Sequence, residues 1–489
     1  MTLRNCFLLL LVLAMPAGQI AAQTQSPPQS LPFSEFSLES LAGFKPVTPN
    51  WSIVGEVTAD RTTTHQISTF AGVGVLVNQP AAEARGNLFS NWEHGDLELE
   101  LDFMMPKGSN AGVYLQGRYE IQLFDSWGEK SPSFSDVGGI YERWDPSRSE
   151  GKQGFEGQPP LLNAGRAPGL WQHLSISFQA PRFDKTGRKT SNAVMKKVVL
   201  NGVAIHQNVE ITGSTRAAAF TDEKPMGPLM IQGDHGPVAL RNIKYKRYEG
   251  DALIEADALP APRFVPAIFV EPGAEPALIR GFVRHGGVKK THTIAVGDPE
   301  GIHYTMDLRQ GALLQTWKGP FIETTDMWHS RGTEQLAVPL GSVITFSGAP
   351  TVARLASETT AWPDSMGNDF TFKGYELDEP GRPSFHYQLG DAMVTDRLLP
   401  SENGSTLSRE LSIQSPSSLE GYWVRLASGQ IINSKSRGKF QIDGNTYYVE
   451  MPEQASQRYL VRTTSKGQEL LVRLSADSKT TTVQYTLIW

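Results

Sequence analysis

Residues Asn110 to Gly128 read N-A-G-V-Y-L-Q-G-R-Y-E-I-Q-L-F-D-S-W-G, and the period within them decides the fold class. Val113, Leu115, Tyr119, Ile121 and Leu123 alternate with Tyr114, Gln116, Arg118, Glu120 and Gln122. Successive side chains of a strand point to opposite faces, so the spacing predicts a β-strand from Val113 to Leu123 with one core face and one polar face. A plain solvated face favours Thr, Lys, Ser and Glu. Here amides, a guanidinium, a carboxylate and a phenol stand in a row, a set that supplies donors, acceptors and a stacking plane for a polyhydroxylated ligand. The face is read as one wall of a site, with ordinary surface as the alternative.

The same period recurs on both sides. Leu97-Glu98-Leu99-Glu100-Leu101-Asp102-Phe103 alternates strictly, and its acids read as a solvated face. Trp171 to Phe178, Val194 to Leu200, Leu229 to Gln232 and Val238 to Tyr245 are further strands, and Asn201-Gly202 signals a type I′ hairpin. Beyond residue 266, Thr293 to Val296, Val343 to Phe346, Tyr422 to Leu426, Leu470 to Leu474 and Thr481 to Ile488 continue the pattern. Helical periodicity is scarce, apart from a weak stretch near Ser34 to Leu41. The chain is therefore all-β. Residues 33–250 form a first domain, residues 251–265 (with Ala256-Asp257-Ala258-Leu259-Pro260-Ala261-Pro262) a linker, and residues 266–489 a second β-sandwich of unassigned role.

Residues 1–22 read as a secretory signal: Arg4, an apolar run from Phe7 to Leu13, and Ile20-Ala21-Ala22 before Gln23. Residues 23–32 are a polar, proline-containing, disordered leader. The expectation is a periplasmic or secreted protein without membrane insertion, because no apolar run reaches the length of a span. The single cysteine, Cys6, lies in the signal, so thiol catalysis, disulfides and cysteine metal sites are excluded from the mature chain. A net charge of -6 with no basic block argues against nucleic acid as a partner. There is no H-E-x-x-H, EF-hand loop, G-x-S-x-G or G-x-G-x-x-G. Oligomeric state has no signature in the sequence.

Three segments carry candidate chemistry. Phe124-Asp125-Ser126-Trp127-Gly128 ends the polar strand, and Asp125 either turns toward the mouth above Glu120 or caps the following turn. Gln232-Gly233-Asp234-His235-Gly236-Pro237 presents an Asp-His pair on a tight turn, with Gln232 on the same face as Met230 and able to join Gln122. Gly138-Gly139-Ile140-Tyr141 offers a phenol in the aperiodic segment from Ser131 to Pro168, which is expected to fold over a mouth of the sandwich.

Taken in order, G-D-L-E-L at Gly95, N-A-G-V-Y-L at Asn110, Y-E-I-Q-L-F-D at Tyr119, P-G-L-W-Q at Pro168, L-N-G-V at Leu200 and G-P-L-M-I-Q-G-D-H-G at Gly227, ending Leu240-Arg241-Asn242-Ile243, the first domain resembles the 3-keto-disaccharide hydrolase domain family. The resemblance does not extend to the second domain. It implies a concanavalin-like, two-sheet jelly roll that cleaves a glycoside whose ring is already oxidised at C3. A carbonyl at C3 acidifies the C2 proton, so a base can remove it and the C1 oxygen can leave by β-elimination, with or without rehydration to net hydrolysis. Such a site needs a base, an enolate stabiliser and an acid. The base is Glu120 or His235, and the acid Asp125 or Tyr141. Arg118, Gln122 and Gln232 hold the enolate and hydroxyls, with Tyr114, Gln116, Trp127 and Tyr141 also on the substrate. No organic cofactor is needed. A divalent cation on the ketone would stabilise the enolate equally well, with Glu120, Asp125 and His235 as its ligands. The partner is a glycoside or oligosaccharide. A tight same-strand pair of carboxylates is disfavoured, since Gln122 stands where the second would be, and a non-catalytic, lectin-like glycan-binding protein is the alternative.

Overall fold

A computed structural model describes residues 32–248, 266–329, 334–401, 403–443, 446–452 and 459–489. The signal segment, the leader apart from Pro32, and the linker 251–265 lie outside the described residues. No helix among the described residues is long and apolar enough to cross a membrane.

The first half contributes β1 (Ser34–Glu35), β2 (Trp51–Thr58), β3 (Ser68–Asn78), β4 (Leu88–His94), β5 (Leu97–Met104), β6 (Asn110–Leu115), β7 (Tyr119–Phe124), β8 (Arg143–Trp144), β9 (Gly154–Phe155), β10 (Trp171–Gln179), β11 (Arg182–Phe183), β12 (Lys189–Ser191), β13 (Ala193–Leu200), β14 (Val203–Ile211), β15 (Gly227–Ile231) and β16 (Val238–Arg247). The larger sheet runs β14-β13-β10-β5-β16-β3-β2, with β1 beside β16, and the smaller runs β4-β15-β6-β7. Their inner faces enclose one core, in which Leu97, Leu99, Leu101 and Phe103 of β5 share a cluster with Val113, Leu115, Tyr119, Ile121 and Ile231 of the small sheet. The alternation read in the sequence is therefore the alternation of core and outer face. This is a concanavalin-like jelly roll.

One expectation is corrected at once. The polar stretch is not a single strand but a hairpin, β6 and β7, reversed at Gln116 and Gly117, which both have positive φ (53° and 64°). Leu115 pairs with Tyr119 and Val113 with Ile121, so both arms keep their apolar residues on the core side. Period two survives a reversal of this register, which is why the sequence pattern did not betray the turn. The stretch near Ser34 to Leu41 is likewise not helical: a two-residue strand and a 3-10 turn at Leu41–Gly43 stand there. Asn201 and Gly202 make the expected hairpin turn, both at positive φ.

No sheet mixes strands of the two halves among the described residues. The second half holds a five-stranded sheet built on Ala277–His285 to Ser342–Thr345, an eight-stranded sheet from Phe370–Leu377 to Ile432–Ser436, and a four-stranded sheet. Its core buries an ion pair, Arg409 Nε donating to Asp396 Oδ1 at 2.9 Å, with the Tyr485 and Thr351 hydroxyls completing the guanidinium's partners.

The halves touch close to the end of β7. Trp127 Nε1 donates to the Trp489 carbonyl at 3.0 Å, and the half-buried Lys318 ammonium donates to the same carbonyl at 2.9 Å while lying over the Trp127 ring. Further along, Arg61 grips Glu450 with two bonds of 2.7 and 2.6 Å, and the Tyr448 hydroxyl donates to the Pro168 carbonyl.

Candidate active site

The outer face of the small sheet carries the candidate chemistry. Pairing sets Met230, Tyr114 and Glu120 in one row across β15, β6 and β7. In the next row Gly112 stands opposite Gln122, and Gln232 donates its backbone N–H to the Gly112 carbonyl. Between the two amide side chains the strand carries only a glycine. A methyl group at Gly112 would collide with the Glu120 carboxyl and the Tyr114 ring, so the glycine makes the space that Glu120 fills.

Loops cover this face. The Gly139 carbonyl accepts from Gln122 N, the Gly138 N–H donates to the Gln122 carbonyl, and Tyr141 N donates to the Glu120 carbonyl. The segment from Ser131 to Pro168 thus folds over the mouth as expected, pairing with the free edge of β7. From the other side Thr215 Oγ accepts from Glu120 N at 3.2 Å, and the Tyr114 hydroxyl donates to the Arg216 carbonyl at 3.3 Å.

Glu120 is consequently 2% exposed. Burial pushes its carboxyl up to about 8; the Tyr114 hydroxyl beside it opposes the shift and the charge of Asp234 adds to it. The Tyr141 phenol is also raised, by burial first and then by the Glu120 charge, with Arg216 pulling the other way. Three buried amide oxygens in this region, Asn110 Oδ1, Gln122 Oε1 and Gln232 Oε1, have no hydrogen-bond donor. Buried acceptors are rarely left so, and these three share one face with a protonatable carboxyl.

The Asp-His turn is held from below. Asn78 Nδ2 donates to the Gly233 and Gly236 carbonyls at 3.1 and 2.9 Å, and Asn50 Nδ2 donates to Asn78 Oδ1 at 2.7 Å. Gly233 and Gly236 each run against backbone that a side chain would strike. On this support Asp234 Oδ1 and His235 Nδ1 lie 2.7 Å apart, both half exposed.

Glu120, Tyr114, Gln122, Gln232 and Tyr141 come together, with Asp234 in electrostatic reach. Other expected site residues are placed elsewhere. Gln116 and Arg118 flank the hairpin reversal: Gln116 Nε2 donates to the His94 and Pro225 carbonyls, and Arg118 binds Asp222 and lies over Phe220. Asp125 takes the capping alternative, accepting from Gly108 N at 2.8 Å and from Trp127 N, and its carboxyl is raised by burial. Trp127 packs on the second half rather than on a cleft. Glu120, Asp125 and His235 do not converge, and among the described residues no three His, Cys, Asp or Glu side chains group as metal ligands. Those three therefore do not form the cation set expected of them.

Sequence reading missed Asn110, Asn78, Thr215 and Arg216. Asn110 had a signal, since it shares parity with Gly112 and Tyr114. The others meet their partners only through folding, from 95 to 158 residues away in the chain, and no local pattern marks them. A cavity of about 880 Å³ lies at the reversal end of the hairpin, lined in part by His94, Pro181, Phe183, Pro225, Arg247 and Tyr248. None of Glu120, Tyr114, Gln122, Gln232 or Tyr141 lines it. Its buried histidine has both ring nitrogens engaged, by Gln116 N and by the Gly95 carbonyl.

The first half thus joins a two-sheet sandwich to a buried carboxyl and to amide oxygens without donors on one outer face. Residues 39–246 match the model of the 3-keto-alpha-glucoside-1,2-lyase-like domain. Among solved structures, the chain is similar to two proteins of Parabacteroides distasonis, each described as a "putative glycosyl hydrolase". One is 20% identical over 48% of this chain and 100% of its own, with a TM-score of 0.30. The other is 18% identical over 44% of this chain and 100% of its own, also at 0.30. A carbohydrate-binding module of Bacillus subtilis is 10% identical over 40% of this chain and 96% of its own, with a TM-score of 0.19. No curated protein matches the chain.

Proposed function

We propose that the first domain cleaves 3-keto-glycosides by removing the C2 proton and expelling the C1 oxygen. The observation that carries this reading is Glu120: a carboxyl buried beside Tyr114, held protonated near neutral pH, and ringed by amide oxygens that lack donors. Protonated, it is suited to give its proton to the departing C1 oxygen. His235 takes the proton from C2, with its Nδ1 held 2.7 Å from Asp234 Oδ1 so that Nε2 is left to act as the base. The electron pair of the C2–H bond becomes the C1=C2 double bond as the C1–O bond breaks, so the first product is an unsaturated 3-keto sugar. Asn110, Gln122 and Gln232 accept from the sugar hydroxyls and fix the ring. Water adding across the double bond gives net hydrolysis. In this reading the leading apolar segment exports the protein, which cell fractionation checks.

Methyl 3-keto-glucoside, incubated with the purified protein with and without chelator, is expected to give a transient enone absorbance and free methanol. Chelator arrests the reaction only if a divalent cation assists the ketone. Glu120→Gln and His235→Ala are each expected to lower kcat by about 10²-fold or more. Wild-type protein that binds the glycoside without releasing methanol would sink the enzymatic reading in favour of a glycan-binding one.

A further inference from the structure

The cavity of about 880 Å³ at the reversal end of the β6–β7 hairpin is separate from the Glu120 face, and buried ties hold its walls. On one side the segment from Asp222 to Met226 is fastened to the hairpin. Gln116 Nε2 donates to the Pro225 carbonyl at 2.9 Å, Arg118 binds Asp222 at 3.1 Å, and the Tyr119 hydroxyl donates to Glu223 at 2.7 Å. On the other side Arg182, which precedes Phe183, grips the buried Asp96 with two bonds of 2.8 and 2.7 Å. His94 also lines the cavity. Burial, with the charge of Arg247 adding to it, lowers this imidazole to about 4, so it is neutral at pH 7. Phe183, Tyr248 and Met226 supply apolar surface, and Met226 is 49% exposed.

Charge around this cavity is unevenly spent. Glu223 is engaged by Tyr119 and Lys189, and Asp184 accepts from the backbone N–H groups of Thr186 and Arg188. Lys224 pairs with Asp222. Arg247 and Lys185 meet no carboxylate among the described residues, and Glu93 is the lining acid left without a side-chain partner there. Arg247 is nonetheless fixed. Its Nη1 donates to the Glu93 carbonyl at 3.4 Å, and its guanidinium lies 5.5 Å from the centre of the Trp92 ring, which stacks on Tyr245 at 4.3 Å.

We propose that this cavity is a second ligand site, and that it takes an aromatic carboxylate anchored on Arg247. The site stands apart from the cleavage reading and does not depend on it. A guanidinium stacked on an aromatic ring keeps a planar set of donors that matches a carboxylate. Phe183, Tyr248 and the Met226 thioether suit an aromatic body, and the volume is that of a small-molecule site. Glu93 opposes a second negative charge, so a monoanion fits better than a phosphate dianion. Lys185, exposed at the rim, adds attraction without a fixed contact.

Calorimetric titration of the full chain with naphthylacetate and with its neutral amide, naphthylacetamide, tests the site. Saturable binding of the acid is expected, with the amide about tenfold weaker, the worth of one charge-assisted contact. Arg247→Gln should weaken the acid about tenfold and leave the amide unchanged, and Arg247→Lys should recover part of the loss. Phe183→Ala should weaken both ligands. Lys185→Gln, at an exposed position, should weaken the acid by a smaller factor that disappears at high salt. Glu120→Gln should bind the acid as the wild type does. No saturable binding, equal affinity for acid and amide, or an unchanged affinity in Arg247→Gln would each overturn the site, as would a loss in Glu120→Gln. If circular dichroism shows Arg247→Gln unfolded, Lys185→Gln decides in its place, and an affinity for the acid unaltered at low salt overturns the site.

Discussion

Gly112 and Glu120 lie on neighbouring strands, and the carboxyl of Glu120 rests on the bare backbone of Gly112. Any side chain at Gly112 would displace it. Gly112→Ala is therefore expected to leave a folded protein, because its backbone is ordinary strand, yet to lower cleavage of methyl 3-keto-glucoside by about 10²-fold through misplacement of the acid. Circular dichroism beside the kinetics separates the two effects, and a variant with wild-type activity would refute the packing argument.

The raised Glu120 carboxyl also makes stability depend on pH. The unfolded chain releases this proton near 4.5, whereas the folded protein keeps it to about 8. Over that window the unfolded state binds fewer protons, so this group makes stability fall as pH rises. Glu120→Gln removes the liability. Its melting temperature, relative to wild type, should rise progressively from pH 5 to pH 8, by on the order of 2 kcal/mol in stability at the upper end. A constant offset across the range would contradict the assignment.

His94 and His303 act in the opposite sense. Burial lowers each to about 4, while each would take up a proton near 6.5 in the unfolded chain. Stability from these groups is complete above 6.5 and is lost as pH falls toward 4. Each bonds through both nitrogens, His303 to Asp298 N and the Gly319 carbonyl. The expected outcome is a melting temperature that drops steeply between pH 6.5 and 4, and less steeply in His94→Gln. Identical acid profiles for the two proteins would exclude His94 as a cause.

Asp396 and Arg409 are both almost fully buried, so removing one partner strands the other's charge. Asp396→Asn should cost about 3–5 kcal/mol in chemical denaturation, whereas replacing both residues with apolar ones of similar volume should cost much less. Equal losses would show that packing, not charge, dominates there.

Trp127 distinguishes a structural from a ligand role. Because it reaches the Trp489 carbonyl and carries Lys318 over its ring, Trp127→Ala is expected to lower the melting temperature while leaving KM for methyl 3-keto-glucoside within twofold. A selective rise in KM would return it to the cleft.

Strand character was legible wherever an apolar residue recurred at every second position. Leu97 to Phe103 and the two arms around Gly117 read correctly, and so did the outward face of Tyr114, Glu120 and Gln122, because burial of one sheet face imposes that period directly. The reversal at Gln116 and Gly117 was not legible, since a turn that preserves parity leaves the pattern intact. It alone moves Gln116 and Arg118 out of the cleft.

Sequence by itself determined the all-β class, the likeness of the first domain to a family, and the row of polar residues that shares an outer face with Glu120. Those depend on local periodicity and on an ordered set of short motifs. Only tertiary structure decided that Asp125 caps a turn, that Trp127 serves the other half of the chain, that Asn78 holds the Asp-His turn and that Arg216 meets Tyr114. These outcomes depend on which distant backbone comes within hydrogen-bond reach, and on how completely water is excluded from one carboxyl, neither of which leaves a trace in nearest-neighbour order.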